Sequence, residues 1–263
     1  MKHVIIVPPK GLKGVYSDNR IWASQYVKAD PRNRIKVDMK ESSPEEVLRV
    51  TRRAVGLAGT TGEVIYAVGH GGGGSGNAGQ VDFAPKNKFR VSQFLAFYDD
   101  KTEEWKGPSV AEMLRDAKAA GKGTKTARKQ KEKAWCTNYI ADGCGKAKRQ
   151  VRAIDKLQSH YDEMGKIFRA NPVKRIVLLT CNVGKATTFL TELATDLGVP
   201  CRAFTETVST QARWEGSRRN ARVYMFLAGD TYPNGTYNDR SDTELLPGLR
   251  PGQRRDAKPM ATP

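Results

Sequence analysis

The chain has 263 residues, of which 38% are apolar and 28% charged, and it carries a formal net charge of +17. Such a length suits one large α/β domain with insertions, or at most two small ones, and no apolar run approaches the roughly 18 residues that span a bilayer as a helix. Four cysteines without a Cys-x-x-Cys pair fit none of the usual zinc spacings, so neither a metal nor another cofactor is expected.

The first nine residues hold an apolar run too short for a secretory signal, with no small-residue cleavage site. They read instead as a first strand, His3 to Val7. The expectation is a cytoplasmic protein, or one exported without an N-terminal signal peptide. A polar, turn-rich stretch continues to about Pro31, followed by an alternating strand from Arg34 to Met39. Ser43-Pro44-Glu45-Glu46 opens a helix: Ser43 caps, Pro44 takes the first helical position, and Glu46 is placed to close a capping box. Val47, Leu48, Ala54, Val55 and Ala58 recur at helical spacing, so that helix packs on a sheet. It delivers the chain to Glu63–His70, a buried strand of β-branched and aromatic residues that stops on a histidine before Gly71–Gly74.

Gln80 to Pro85 reads as a short strand, and Val91 to Tyr98 as an apolar helical segment. From about 99 to 148 the composition turns charged, Gly-dotted and core-poor, an insertion with some helix around Val110 to Ala120. Eight Lys/Arg fall between Arg115 and Lys133. Such a run suits an anionic partner, and equally a solvated insert. Cys136 and Cys144 flank a short loop there and would be free to pair in an oxidising compartment. Order returns with a helical stripe through Val151, Ile154, Leu157, Tyr161, Met164 and Phe168, on which His160 sits off-centre and solvated. Lys174–Cys181 is a second buried strand, this one ending on a cysteine. Another helix, over Phe189 to Leu197, stops at Gly198. Pro200 to Thr205 and Arg222 to Leu227 read as the fifth and sixth strands. The domain is expected to run over 1–246, with a disordered basic tail over 247–263. Alternating strands and helices imply an α/β fold: a doubly wound, mostly parallel six-stranded sheet with helices on both faces.

Ligand sites on such sheets lie at the carboxyl ends of the strands. Of three histidines, only His70 stands there before a flexible loop; His3 opens its strand at the opposite rim. Of four cysteines, only Cys181 ends a strand, while Cys201 starts one and reads as a small apolar core residue. If the two strands are parallel neighbours, an imidazole and a thiol meet on one rim. A thiol is a strong nucleophile once deprotonated, and an adjacent imidazole can take that proton or give one to a leaving amine. Glycine-rich backbone can turn N–H donors toward a developing oxyanion, and Gly71 and Cys181 are the donors expected to do so.

Other readings compete. Gly69–Gly74 fits the letters of a dinucleotide fingerprint, but Ser75 to Gly79 does not begin the helix that a pyrophosphate needs. Gly184-Lys185-Ala186-Thr187 imitates a P-loop without its earlier glycine. A non-catalytic nucleic-acid-binding protein is the alternative of a different class, resting on the basic insertion with Trp105, Trp135 and Tyr139.

The pairing of His70-Gly71 with Cys181 resembles the caspase-like cysteine peptidases, the group of caspases, metacaspases, gingipains and clostripain. In that family His-Gly follows the third core strand and the catalytic Cys the fourth. The local form Thr180-Cys181-Asn182-Val183-Gly184 is similar to divergent bacterial members, and Leu179-Thr180 replaces the caspase Gln-Ala. The resemblance implies peptide-bond hydrolysis by a Cys–His dyad through a thioester, on a protein or peptide substrate. A pocket for Arg or Lys, as in several relatives, requires a nearby carboxylate, for which Glu206 and Asp82 are the candidates. With that specificity the basic stretch between Arg115 and Arg149 would itself be a cleavage target.

Overall fold

Short β-branched runs set up the centre of this fold. The computed structural model describes residues 1–73, 79–92, 97–99, 104–106, 159–214, 221–227 and 253–260. Its strands in chain order are β1 (His3–Val7), β2 (Arg34–Asp38), β3 (Glu63–Tyr66), β4 (Gly71–Gly73), β5 (Gly79–Ala84), β6 (Phe89–Ser92), β7 (Phe97–Asp99) and β8 (Glu104–Lys106). They continue with β9 (Arg175–Leu178), β10 (Cys201–Phe204), β11 (Val208–Trp214), β12 (Ala221–Leu227) and β13 (Arg254–Ala257). The helices are α1 (Val15–Ala29), α2 (Pro44–Ala58), α3 (159–170) and α4 (Thr187–Leu197).

Six strands form the main sheet in the order β2-β1-β3-β9-β10-β13. The first five run parallel, with Tyr66 opposite Leu178 and Ile176 opposite Cys201, and only β13 runs antiparallel. Side chains alternate between faces. Ile5, Val7, Ile65, Ala67, Val177 and Leu179 pack with Trp22, Ala23 and Tyr26 of α1 and with Met225 of β12. On the other face the Tyr66 and Thr51 hydroxyls are hydrogen-bonded at 2.6 Å, which seats α2 there. Helices therefore cover both faces, and the α/β architecture is as the sequence implies.

The helix at Ser43 starts as expected, since its hydroxyl accepts from the Glu46 N–H at 3.2 Å and Pro44 takes the first helical position. The Glu46 carboxylate reaches back one turn too far to close the box on Ser43. It accepts from the Lys40 N–H at 2.6 Å and from the Arg49 guanidinium through two bonds of 2.6 Å. Helix α3 is tied to α2 by Arg52–Glu163 at 2.9 Å, and to α4 by the Tyr161 hydroxyl donating to Asp196 at 3.1 Å.

Several local readings are corrected. The polar stretch before Pro31 contains α1, whose buried Asn19, Trp22, Ala23 and Tyr26 lie at helical spacing. Arg222–Leu227 is not the sixth strand of the main sheet; β12 pairs antiparallel with β11 in a separate two-stranded sheet. The sixth strand is β13, so the tail expected to be disordered over 247–263 contributes an ordered sheet edge at Arg254–Ala257. The Arg202 guanidinium holds it there, donating to Asp256 through bonds of 2.6 and 2.8 Å. The segment Val91 to Tyr98 carries strand residues at both ends rather than a helix. His160 is largely covered, 3.2 Å from the Glu45 carboxylate.

The chain divides into one unit of Met1–Val91 with His160–Pro263 and a second of Ser92–Ser159. The basic insertion falls in the second unit, of which the antiparallel hairpin of β7 and β8 is described. Cys136, Cys144 and the run from Arg115 to Arg149 lie outside the described residues. Among the described residues no helix is long and apolar enough to cross a membrane.

Candidate active site

β3 and β9 are adjacent and parallel, so the segments that leave them emerge on one rim. The backbone pairing extends past the strands, with the Leu179 N–H donating to the Tyr66 carbonyl at 3.0 Å. His70 lies four residues beyond the end of β3, and Cys181 three beyond the end of β9. Between them the backbones touch. A methyl group at Gly71 would lie 2.6 Å from Val183 Cγ2 and 2.7 Å from the Thr180 hydroxyl oxygen. At Gly73 it would run into the Asn182 carbonyl. Only hydrogen fits at these two positions, which is why glycine is required beside the cysteine loop.

β4 is held by β5, with Gly71 opposite Val81. The Asp82 N–H donates to the His70 carbonyl at 2.8 Å, so Gly71–Val81 is a non-hydrogen-bonded pair. The Gly71 N–H therefore faces away from β5. Within the glycine run that imitates a dinucleotide fingerprint, Gly71–Gly73 are therefore strand. The P-loop imitation is likewise spent on internal bonds: the Lys185 and Ala186 N–H groups donate to Asn182 and Val183 carbonyls at 2.9 and 3.1 Å.

The cysteine loop turns at Asn182, a left-handed residue with φ of 55°. Its N–H donates to the Glu206 carbonyl at 3.0 Å, and its side-chain amide donates to the Thr207 hydroxyl at 3.3 Å. Glu206 is thereby fixed one residue away from Cys181. Its half-buried carboxylate accepts from the buried Gln253 side-chain amide at 3.4 Å to each oxygen. Asp82 sits differently. It is 1% exposed, and the Arg90 guanidinium donates to its two oxygens at 2.7 and 3.1 Å. A carboxylate neutralised in this way braces the β5–β6 turn and has no free face for a substrate cation. Of the two acidic candidates, Glu206 is at the site and Asp82 supports it from behind.

Cys181 is half-buried and donates its thiol hydrogen to the Val208 carbonyl at 3.4 Å. Burial pushes that thiol above its ordinary range. Burial is the larger influence on this sulfur and favours the protonated thiol over the thiolate. His70 is exposed, its ring edge-on to Tyr16 at 5.7 Å between centroids. Tyr16 is anchored in turn by the Lys86 N–H, which donates to its hydroxyl at 3.2 Å. No hydrogen bond joins the imidazole to the thiol among the described residues. The two groups share a rim, each held by a neighbour.

The remaining candidates fall away for structural reasons. His3 is on the opposite rim, bonded to the Tyr26 hydroxyl at 2.6 Å, and burial lowers its pKa. Cys201 is 1% exposed, and burial alone drives its thiol far above the ordinary range. No group of three or more His, Cys, Asp or Glu with metal-binding geometry occurs among the described residues.

Three participants were not legible in the sequence. Tyr16 is on a helix that composition disguises, Val208 acts through its main chain, and Gln253 arrives from the far end of the chain. Comparison with known protein families, with curated proteins and with solved structures returns no match.

Proposed function

We propose that this chain is a cysteine endopeptidase of the caspase-like type, with Cys181 as nucleophile and His70 as acid and base. The observation that carries the reading is the contact of Gly71 with Thr180, which joins the residues following His70 and preceding Cys181 across adjacent parallel strands. The order of elements agrees: a His-Gly after the third strand of the main sheet in chain order, and a Cys after the fourth.

In the proposed reaction His70 takes the Cys181 proton and the sulfur attacks the scissile carbonyl carbon. The tetrahedral oxyanion is met by the Gly71 and Cys181 N–H groups, donors of a kind worth about 10²–10³ in rate each. Collapse expels the amine, which leaves with the proton from His70, and a thioester remains. Water, deprotonated by His70, then hydrolyses it to a carboxylate and restores the thiol. For this to begin, the Cys181 hydrogen bond to Val208 must open and the imidazole must swing toward the sulfur, an adjustment common on substrate binding.

Glu206 supports specificity for Arg or Lys before the cut, since among the described residues its carboxylate is bonded to the neutral Gln253 amide, and its main chain is bonded to the loop that follows Cys181. The test is turnover of short Arg- and Lys-containing peptides. Wild type should cleave them and also cut its own chain between Arg115 and Arg149, while His70→Ala and Cys181→Ala do neither. Equal turnover by all three proteins would end the proposal. The +17 charge supports a second reading, a non-catalytic nucleic-acid binder. Salt-sensitive nucleic-acid binding, unaffected by Cys181→Ala and without turnover, would favour it.

A further inference from the structure

A concave site lies at the outer edge of the main sheet, on none of the residues discussed above as catalytic. It is lined by Lys10 beyond β1, Lys36 and Asp38 on β2, Met39 and Lys40 beyond β2, and Arg49 and Arg53 on α2. The cavity measures about 470 Å³, within the range of roughly 300–1,000 Å³ typical of small-molecule sites.

The charges inside are not balanced. Asp38 is taken up by Arg20 at 2.7 Å and Lys36 at 3.7 Å. Lys36 also donates to the Ser24 hydroxyl at 2.9 Å, and Arg49 is forked onto Glu46. Lys10, Lys40 and Arg53 are left with no ion pair among the described residues. Three like charges around one hollow repel each other, and a concave wall focuses their field. A lone carboxylate would answer one of them. A cluster of phosphate oxygens answers all three, because each phosphate brings up to two charges and several acceptors for charge-assisted bonds.

We propose that this cavity binds a small soluble ligand carrying two or more phosphate groups, gripped by Lys10, Lys40 and Arg53. The lysines supply mobile point charges and Arg53 a planar fork, while Arg49 and Lys36 stay pinned and shape the walls. Lys10, Lys40 and Arg53 are exposed, and among the described residues their side chains make no hydrogen bond or ion pair; Lys40 is tied only through its main-chain N–H, to Glu46. The site shares the carboxyl rim of the sheet with His70 and Cys181 but lies out at β1 and β2 and uses none of the residues assigned there, so it stands apart from the peptidase reading.

The experiment is calorimetric titration of the full chain with sodium tripolyphosphate, at low and at raised salt. Three proteins are compared: wild type, Lys40→Ala/Arg53→Ala, and Lys129→Ala/Lys131→Ala, which removes the same two charges from the basic insertion. Wild type should bind one equivalent, with affinity falling as salt rises. The pocket variant should lose at least about tenfold in affinity, and the insertion variant should match wild type. Thermal melts without ligand should coincide for wild type and pocket variant, while tripolyphosphate raises the midpoint of wild type only. Cys181→Ala should bind like wild type, which separates this proposal from the peptidase one. No saturable binding, or an equal loss in both charge variants, overturns it. So does capture by phosphatidylserine-containing vesicles without binding of tripolyphosphate.

Discussion

Gly71 and Thr180 lie so close that a methyl group on the glycine would stand 2.7 Å from both the Cβ and the hydroxyl oxygen of the threonine. Thr180 is 2% exposed, and its hydroxyl finds no hydrogen-bond partner among the described residues. The contact couples the strand after His70 to the loop of Cys181, so their relative position is set by packing. Gly71→Ala should therefore lower unfolding free energy by about 1–3 kcal/mol, the usual cost of forcing an extra methyl into a filled space. Urea unfolding measures it, and a change within experimental error would mean that β4 is free to move off the loop.

Glu206 is tied to the loop that follows Cys181 through its main-chain carbonyl, which accepts from the Asn182 N–H at 3.0 Å. Glu206→Gln keeps its size and its main-chain bond to Asn182 while removing the charge. Turnover of Arg and Lys peptides should fall about a hundredfold, equivalent to roughly 3 kcal/mol. Residual turnover of uncharged peptides should be unchanged. An equal fall for all peptides would make Glu206 a structural residue rather than a specificity determinant.

The thiol of Cys181 resists ionisation because burial penalises the thiolate. Its alkylation by iodoacetamide in the native chain should rise with pH along a curve whose midpoint exceeds the ordinary value of about 8.5. In urea the curve should return to that value. The sign for stability follows: a raised pKa favours the folded state below the ordinary thiol pKa, and that advantage is lost as pH rises through the folded value. A native midpoint below about 8.5 would show a thiolate already activated in the resting state.

The sheet was legible where local sequence decides structure. β3 and β9 are short runs of buried β-branched, aromatic and leucine residues, and their burial in a parallel sheet leaves little else for them to be. Ser43 and Pro44 announced α2 for the same local reason. α1 was hidden because its core face needs only Asn19, Trp22, Ala23 and Tyr26 among mostly polar neighbours. β13 was hidden because three of its four residues are exposed, and its place is fixed by distant partners, above all the Arg202–Asp256 pair. At the site, His70 and Cys181 stood out as chemical types at strand ends. Their immediate partners did not, since Tyr16 and Val208 are brought in by tertiary packing that no local pattern encodes.

The central claim is that His70 and Cys181 act together, and labelling with electrophilic peptides tests it most directly. Thiol-directed probes ending in Arg, Lys, Asp or Asn are added to wild type, His70→Ala and Cys181→Ala, and the modified residue is mapped. The account predicts modification at Cys181, by the Arg and Lys probes, in wild type alone. Modification of another cysteine, or of Cys181 at the same rate without His70, would contradict it.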